Sequence, residues 1–524
     1  MFFHWCIAFF AMIWGEVTEF ISRIPSALAL IAVVCSTFWF YCKRSNVWVA
    51  LANAMIMLTC MELHRAGGNC RVDMVLTALT IGAIYRLYRW WEKGMNGLPW
   101  LALVLMSCGV LTKGPVGAII PCFVMGCFLL LRKTNFWRAF FTMMGFVLLS
   151  LIVPALWYAA AWQQGGQAFL DLVYEENIGR MTGSMSYESH EGPWIVNVGT
   201  LIAGMLPFTL LLIMGLFSEP KLRQRLSSAF ATGENRFMLK LKALAKRFWK
   251  WLTGMDNLSL YTLTAAVAIF VFYCIPKSKR SVYIMPMYPF VGYFMANYIM
   301  HLAKEGRRVV RVYGHILAGL AMLLLAVFIV LKLGVVPETI FKGKRALDNI
   351  ATLEHLSAIG GFWPLLCIVA TTLCGIAWFV YAKKNKEVSV RDVAVIMGLT
   401  LGIYLSVDGA YKPAALAAKC VKPVAQELMD NVLLPEDEGV YEYIELGEII
   451  KGNPVHYFEL NFFLHNRILN FKSSKPEHGF LLIGVDDAKL RLDDFRAEGY
   501  NFELRMETPR RVAGQLLQVY YFTK

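Results

Sequence analysis

The feature that most constrains this chain is a series of long apolar runs. A helix that crosses a bilayer needs about 20 consecutive, mostly apolar residues. Twelve runs along the 524 residues fit this requirement, and they begin near Ile24, Val47, Val72, Leu98, Pro115, Ala139, Trp194, Asn257, Ser281, Val312, Ile359 and Val393. The predicted fold class is therefore a polytopic α-helical membrane protein of about twelve spans. The short runs from Leu98 and Pro115 meet at Lys113-Gly114-Pro115, which predicts a tight hairpin.

Composition excludes the soluble classes. Hydrophobic residues make up 57% of the chain and charged residues 17%, whereas soluble domains carry about 25% charged residues. A soluble globule of this length could not cover so many apolar side chains. The net charge of +14 is typical of basic cytoplasmic loops in a membrane protein, so we expect the lipid bilayer as a partner and no nucleic acid. The 12 cysteines show neither metal nor disulfide spacing.

Loop charge predicts the orientation. Successive loops between spans lie on opposite sides of the membrane. The loops of one side, which include a long basic loop at 221–250, hold about twice as many Lys and Arg residues as the loops of the other side. That set should face the cytoplasm, and both termini and the 163–193 loop should then lie outside. Residues 1–14 are apolar but too short to span, which predicts an interfacial helix.

The C-terminal part changes character. We predict a transmembrane domain over 1–410 and a small external α/β domain over 411–524. In the second domain, periodicity predicts helices at 414–433 and 488–498, and strands at 479–485, 500–506 and 516–522.

Several charged residues lie in or beside the loops that we predict to face outside, where Lys and Arg residues should be few. Basic side chains at a membrane edge can snorkel to lipid headgroups, which is the simpler interpretation of any one of them. Together, and beside acids and a histidine, they favour a site for an anion such as the phosphate of a lipid carrier. The predicted phosphate-binding residues are Arg71, Lys113, Arg180, Lys277, Lys279 and Arg280. The predicted catalytic residues, as candidates for a general base or a metal ligand, are Asp73, Glu175, Glu176 and His190.

Four short motifs carry a family resemblance. They are RIPSAL at 23–28, RVD at 71–73, LTKGP at 111–115 and SKRSVYIMP at 278–286, and HEGPW at 190–194 resembles an external loop of the same family. In this order they resemble the bacterial aminoarabinose transferases and the protein mannosyltransferase-like membrane glycosyltransferases. The resemblance covers roughly residues 1–289.

The resemblance implies a GT-C fold, a polyprenyl-phosphate-linked sugar donor and transfer at the periplasmic face of the bacterial inner membrane. It places Asp73 at the family's second acidic position, and Lys113, Lys279 and Arg280 opposite the donor phosphate. His190 matches a histidine that helps to hold a metal ion in some members, so a divalent metal ion is the one cofactor implied. The acceptor would be an envelope component: lipid A, a glycan, another lipid or a protein.

This sequence departs from the family pattern at its start. Members begin with one further helix and a loop that carries an Asp-Glu pair and a Lys-Pro-Pro stretch, whereas here MFFHW at 1–5 resembles the aromatic segment after them. Either the start codon was assigned too late or the chain is a truncated copy, and the second case would make it a non-catalytic remnant. Independently of the start, a transporter or flippase of lipid-linked material stays open as an alternative to the transferase hypothesis.

Overall fold

The structure is a computed structural model that describes residues 1–179, 182, 191–218, 249–343, 345–432, 438–444, 457–512 and 514–524. The chain divides into two units. Unit 1 comprises Met1–Gly319 and Cys374–Leu401, and unit 2 comprises Leu320–Leu373 and Gly402–Lys524. The predicted boundary between 410 and 411 falls inside unit 2 and stays a prediction. Most of the predicted basic loop at 221–250 lies outside the described residues.

Each of the twelve predicted runs contains a helix. Up to residue 406, the α-helices with described bounds are α1 (Phe2–Trp14), α2 (Glu19–Cys42), α3 (Val47–Thr59), α4 (Met61–Gly67), α5 (Val72–Glu92), α6 (Trp100–Lys113), α7 (Val116–Leu131), α8 (Phe136–Tyr174), α9 (Ile195–Gly204), α10 (Phe208–Phe217), α11 (Asn257–Cys274), α12 (Tyr288–Lys304), α13 (Arg308–Lys332), α14 (Ala346–Ser357), α15 (Phe362–Lys384) and α16 (Val390–Ser406). Residues 2–14 are helical as predicted, and whether α1 lies at the membrane interface stays a prediction.

The described helices confirm a multi-span membrane protein. Six of them are long and apolar enough to cross a bilayer, and the number rises to eight if two bent helix pairs each form one span. The pair α3 and α4 bends by 61°, and the pair α9 and α10 bends by 103°. Side-chain caps fix several helix starts: the Asn46 side chain accepts a hydrogen bond from the Trp48 N–H, and Asp256 accepts one from the Ser259 N–H.

The predicted hairpin between α6 and α7 is present, and glycines explain its tightness. Gly114 adopts φ +79°, a conformation that side chains rarely tolerate. A Cβ atom on Gly117 would overlap the backbone of Gly109 on the facing helix. The two helices therefore pack backbone against backbone, and Lys113 lies at the point where the chain reverses.

Unit 2 contains the predicted α/β region. The described helices of this α/β region are α17 (Lys412–Ala417), α18 (Lys422–Asn431), α19 (Phe458–Phe463), α20 (Phe471–Ser474) and α21 (Val485–Ala497). Its described strands are β1 (Val440–Tyr443), β2 (Ile468–Asn470), β3 (His478–Gly484), β4 (Asn501–Glu507) and β5 (Leu517–Thr523). The sheet order is β2-β1-β3-β5-β4. Strand β1 pairs in parallel with β2 and β3, and β5 pairs antiparallel with β3 and β4.

Both faces of this sheet are covered. On β3, Phe480 and Leu482 belong to one buried cluster, while Leu481 and Ile483 belong to the other, because alternate side chains point to opposite faces. The predicted strands and the second predicted helix are confirmed to within three residues. The predicted helix at 414–433 is two helices, α17 and α18, because Pro423 at the start of α18 disfavours a continuous helix through the residues before it.

Candidate active site

Four segments of unit 1 line one cavity. They are the hairpin between α6 and α7, the second half of α8 with the turn after it, the C-terminus of α11 with the residues that follow it, and the 3₁₀ turn at Ser281–Met287. The N-terminus of α5 is joined to this cavity by the ion pair of Asp73 with Lys113. The cavity has a volume of about 420 Å³. The sequence elements that carry the LTKGP and SKRSVYIMP motifs therefore meet in space.

Lys113 is the central cation of this cavity. Its ammonium forms an ion pair with the Asp73 carboxylate and lies 4.3 Å from the centre of the Tyr283 ring. The side chains of Lys113 and Asp73 are 27% and 15% exposed, so both are partly withdrawn from water. A charge pair in this position interacts more strongly than one on an open surface, because the effective dielectric constant is lower.

The cavity wall is amphipathic. Its apolar and aromatic part is contributed by Leu111, Val116, Trp157, Tyr158, Phe169, Leu172, Val173, Phe272, Tyr273, Ile275 and Pro276. Its polar part includes Lys113, Glu176, Asn177 and Ser278. A cavity with this division suits a ligand that has a long apolar portion and a charged end.

Gly114 allows the wall to close around the cation. A Cβ atom at this position would lie 2.5 Å from the Asn177 Oδ1 atom. The Asn177 side chain is itself held by a hydrogen bond of 2.8 Å from its Nδ2 to the Val173 carbonyl. The LTKGP glycine therefore does two things: it permits the turn, and it leaves room for Asn177 beside Lys113.

Lys279 lies in a different environment from that of Lys113. Only 7% of it is exposed, and its ammonium donates hydrogen bonds to the carbonyls of Tyr273 (3.2 Å), Cys274 (3.0 Å) and Pro276. Burial lowers its pKa. In this structure Lys279 ties down the C-terminal end of α11, so a phosphate could reach its ammonium only by replacing those carbonyls. Its predicted contact with a phosphate stays a prediction.

The segment after His190 pairs with the SKRSVYIMP loop. Glu191 and Ser278 form an antiparallel bridge, and the Gly192 N–H donates to the Lys277 carbonyl at 3.3 Å. The two predicted external loops are therefore neighbours. His190 and Arg180 themselves lie outside the described residues.

The remaining predicted residues are placed less centrally. The side chains of Arg71, Lys277 and Arg280 are exposed, and Glu175 is half-buried; none of these four lines the cavity. The Arg71 backbone is fixed by Ser26 of the RIPSAL motif, whose Oγ accepts from the Arg71 N–H at 2.9 Å. The structure thus brings together Asp73, Lys113 and Glu176 of the predicted set.

Sequence reasoning missed the aromatic residues and the amide of this site. Tyr283 stacks on Tyr273 with ring centroids 5.9 Å apart and faces the Lys113 ammonium. Its position inside the SKRSVYIMP motif could have marked it, whereas Trp157 and Asn177 carry no such local signal.

Within the ranges that the structure describes, there is no group of three or more His, Cys, Asp and Glu side chains that could hold a metal ion. The metal ion implied through His190 therefore stays a prediction, and no step proposed below involves one.

Fold and site define a multi-span helical membrane protein with an amphipathic, cationic cavity at one end of its helices. Comparisons with known proteins agree with this class. Residues 1–158 match the family described as dolichyl-phosphate-mannose-protein mannosyltransferase. The chain is 23% identical over 422 residues to the undecaprenyl phosphate-alpha-4-amino-4-deoxy-L-arabinose arabinosyl transferase of Edwardsiella ictaluri (strain 93-146), which covers 76% of this chain and 70% of that protein.

A second relative matches over a shorter stretch. The chain is 26% identical over 223 residues to an uncharacterized protein of Aquifex aeolicus (strain VF5), and the match spans 41% of this chain but only 36% of that protein.

Two solved structures share the fold. The crystal structure of ArnT from Cupriavidus metallidurans bound to undecaprenyl phosphate aligns with a TM-score of 0.63 at 15% identity, over 99% of this chain and 87% of that one. The apo structure of the same protein aligns with a TM-score of 0.60 at 16% identity. The chain therefore has the GT-C fold, and the resemblance to aminoarabinose transferases and protein mannosyltransferase-like glycosyltransferases is confirmed.

Proposed function

We propose that the protein is a membrane glycosyltransferase that moves a sugar from a polyprenyl-phosphate donor to an acceptor of the cell envelope. The observation that carries this proposal is the Lys113–Asp73 ion pair at a cavity whose wall is largely apolar and aromatic. Its fold and relatives support it, since the relative from Edwardsiella ictaluri is named for transfer from an undecaprenyl-phosphate-linked sugar.

The cavity fits the two ends of such a donor. The aromatic and aliphatic wall would contact the first isoprene units, which stay in a hydrocarbon environment. The phosphate would lie at Lys113, the natural point for an anion among the residues that line the cavity. The sugar would then extend toward Glu176 and Asn177, where side-chain oxygen and nitrogen atoms can hydrogen-bond its hydroxyl groups.

The reaction needs one bond formed and one broken. The acceptor oxygen attacks the anomeric carbon, and the bond between that carbon and the phosphate oxygen breaks. The electron pair leaves with polyprenyl phosphate, whose developing charge the Lys113 ammonium stabilises. A carboxylate accepts the proton of the acceptor, and Glu176 is the predicted acid that lines the cavity. Asp73 orients Lys113 through their ion pair.

Loop charge supports an orientation in which this cavity opens to the periplasmic side of the inner membrane. The acceptor would then be lipid A, a surface glycan, another envelope lipid or a protein.

A release assay tests the proposal. The protein in lipid nanodiscs is incubated with undecaprenyl phosphate carrying 4-amino-4-deoxy-L-arabinose or other sugars, together with an envelope lipid extract as acceptor. The wild-type chain should release undecaprenyl phosphate, and Lys113→Met should reduce the rate by roughly 100-fold, the range typical for loss of one group that stabilises a leaving or developing anion. Lys277 belongs to the residues that the sequence predicts to bind phosphate, but its side chain is exposed and does not line the cavity, so we expect Lys277→Met to stay near the wild-type rate.

The alternatives give different results. A flippase would move labelled donor across vesicles without cleaving it. A non-catalytic remnant would bind undecaprenyl phosphate but release none from any donor. Either result would overturn the assignment as a transferase.

A further inference from the structure

A second cavity of unit 1 lies away from the candidate active site. It is an apolar groove of about 220 Å³ between α3, α12 and α16, whose lining includes Trp48, Leu51, Met55, Met300, Val393 and Met397. Trp48 and Leu51 are exposed, as are Ala394 and Gly398 of the same lining, whereas Met300 and Met397 are buried. The groove therefore has an open mouth and a closed floor.

The helix directions place this groove at the membrane edge opposite the active site. Its lining residues come from the first turns of α3 and α16 and from the last turn of α12. At 1.5 Å per residue it extends about 12 Å from the helix ends into the bilayer. Helix α12 begins directly after the Ser281–Met287 turn of the active site and reaches the groove only at Met300. An open apolar groove at this depth faces lipid acyl chains, with phospholipid headgroups at its outer end.

Two cations lie at that outer end. Lys304 is one helical turn beyond Met300 on the same face of α12, and Arg391 shares a face of α16 with Ala394 and Gly398. Both side chains are exposed, and no ion pair joins either to an acid within the described part of the chain.

The nearby acids do not cancel this charge. Glu305, which follows Lys304 in the chain, pairs with Arg307 at 3.1 Å. Asp392 is fully buried and accepts hydrogen bonds from Arg311 at 3.3 Å and from the Ser389 N–H at 2.7 Å. The N-termini of α3 and α16 also point toward this end and add partial positive charge. The outer end of the groove is therefore positive.

We propose that this groove binds one anionic phospholipid of the bilayer, with an acyl chain along the α3/α12/α16 groove and the headgroup phosphate between Lys304 and Arg391. An acyl chain gains little free energy when it moves from the bilayer into an apolar groove. The groove therefore contributes a shape that fits the chain, and the two cations contribute the preference for an anionic headgroup. Basic pockets between membrane helices bind anionic headgroups in this way. The site is separate from the proposed function and does not depend on it.

Gly398 offers a test that should leave the fold intact. A Cβ atom at Gly398 would meet nothing within 4 Å, so the side chain of Gly398→Leu can leave the helix without a clash at its first atom and enter the groove that Gly398 lines. Gly319→Leu is the matched control, because Gly319 is also an exposed glycine on a membrane helix with open space around it, and it lies outside the groove. Both substitutions replace glycine by a better helix former.

Delipidated protein is incubated with dioleoyl phosphatidylglycerol or dioleoyl phosphatidylcholine, and retained lipid is counted by native mass spectrometry. Wild type and Gly319→Leu should retain one phosphatidylglycerol, with at least a tenfold preference over phosphatidylcholine. Gly398→Leu should lose this retention, and Lys304→Met with Arg391→Met should abolish the preference. Retention by Gly398→Leu equal to wild type, or equal retention of the two lipids by wild type, would overturn the proposal. The proposal would also be overturned if the protein formed a dimer that Gly398→Leu disrupts while the amount of retained lipid stays unchanged.

Discussion

At the scale of single residues, Lys113 and Lys279 belong to the same predicted set but lie in different environments. The Lys113 ammonium meets a carboxylate and an aromatic ring at a cavity, so its charge is directed at whatever fills that space. The Lys279 ammonium is buried against backbone carbonyls at the end of a helix. Under the proposed function, we expect the first arrangement to bind a ligand and the second to stabilise the end of α11.

Lys279→Met tests this difference. The substitution removes the donor of three carbonyl hydrogen bonds, so we expect it to lower the free energy of unfolding by about 1–3 kcal/mol. The midpoint of thermal unfolding in detergent measures this, with the exposed Lys277→Met as control. Unchanged stability combined with lost affinity for undecaprenyl phosphate would instead assign Lys279 to the phosphate.

Gly114→Ala should affect both the turn and the cavity. The positive φ costs stability, and the new Cβ atom would push Asn177 away from Lys113. Gly97→Ala has a similar φ of +68° with open space around it, so it reports the backbone cost alone. We expect both variants to lose stability by about 1 kcal/mol or more, but only Gly114→Ala to lose transferase activity. Equal activity of the two variants would contradict the role given to Asn177.

The sequence contained the charges of the site but not their arrangement. Residue type and topology placed Asp73, Lys113 and Glu176 in a predicted set of ten residues but did not distinguish them from the other seven. Which lysine reaches the cavity depends on the fold of the 275–283 segment, and no local pattern encodes that. Asn177 and Trp157 enter through tertiary contacts between α8 and the α6–α7 hairpin, which a single sequence does not reveal.

At the scale of elements, the length of the apolar runs predicted the helices well but did not predict the short elements. The twelve runs all contain helices because an apolar segment in a bilayer must satisfy its backbone hydrogen bonds internally. The bends between α3 and α4 and between α9 and α10 were not predicted, since both members of each pair are apolar. Strands β1 and β2 have four and three residues, too few for a periodicity to appear.

Gly117→Ala tests the packing of the hairpin. Its Cβ atom would overlap the Gly109 backbone, so α6 and α7 must separate and Lys113 must move. We expect a clear loss of thermal stability, whereas Gly145→Ala on α8, with no neighbour within 4 Å, should be neutral or slightly stabilising. Equal stability of the two variants would contradict the backbone contact.

At the scale of the whole molecule, the account depends on which side of the membrane the cavity opens. Cys70 is an exposed cysteine one residue before Arg71, and the 68–71 loop joins α4 to α5 close to Asp73. The side of the membrane on which Cys70 lies is therefore the side on which the candidate active site lies.

We expect a membrane-impermeant maleimide to label Cys70 in intact spheroplasts, with Cys70→Ser as control. Partial desolvation raises the pKa of the Cys70 thiol, although the positive charges of Arg23 and Arg71 act to lower this pKa. Since the thiolate is the reacting form, labelling should be slow near pH 7 and accelerate as the pH rises to about 9. Labelling that requires lysed cells would place the loop in the cytoplasm and contradict the orientation.

The central claim is that a lipid-linked phosphate binds at Lys113. The most direct measurement is the affinity of undecaprenyl phosphate for the protein in nanodiscs, compared among wild type, Lys113→Met and Lys277→Met. The account predicts saturable binding to wild type and Lys277→Met, a loss of affinity of roughly 10- to 100-fold in Lys113→Met, and much weaker competition by undecaprenol, which has the isoprene units but lacks the phosphate. Equal affinity of wild type and Lys113→Met, or equal competition by undecaprenol, would contradict it.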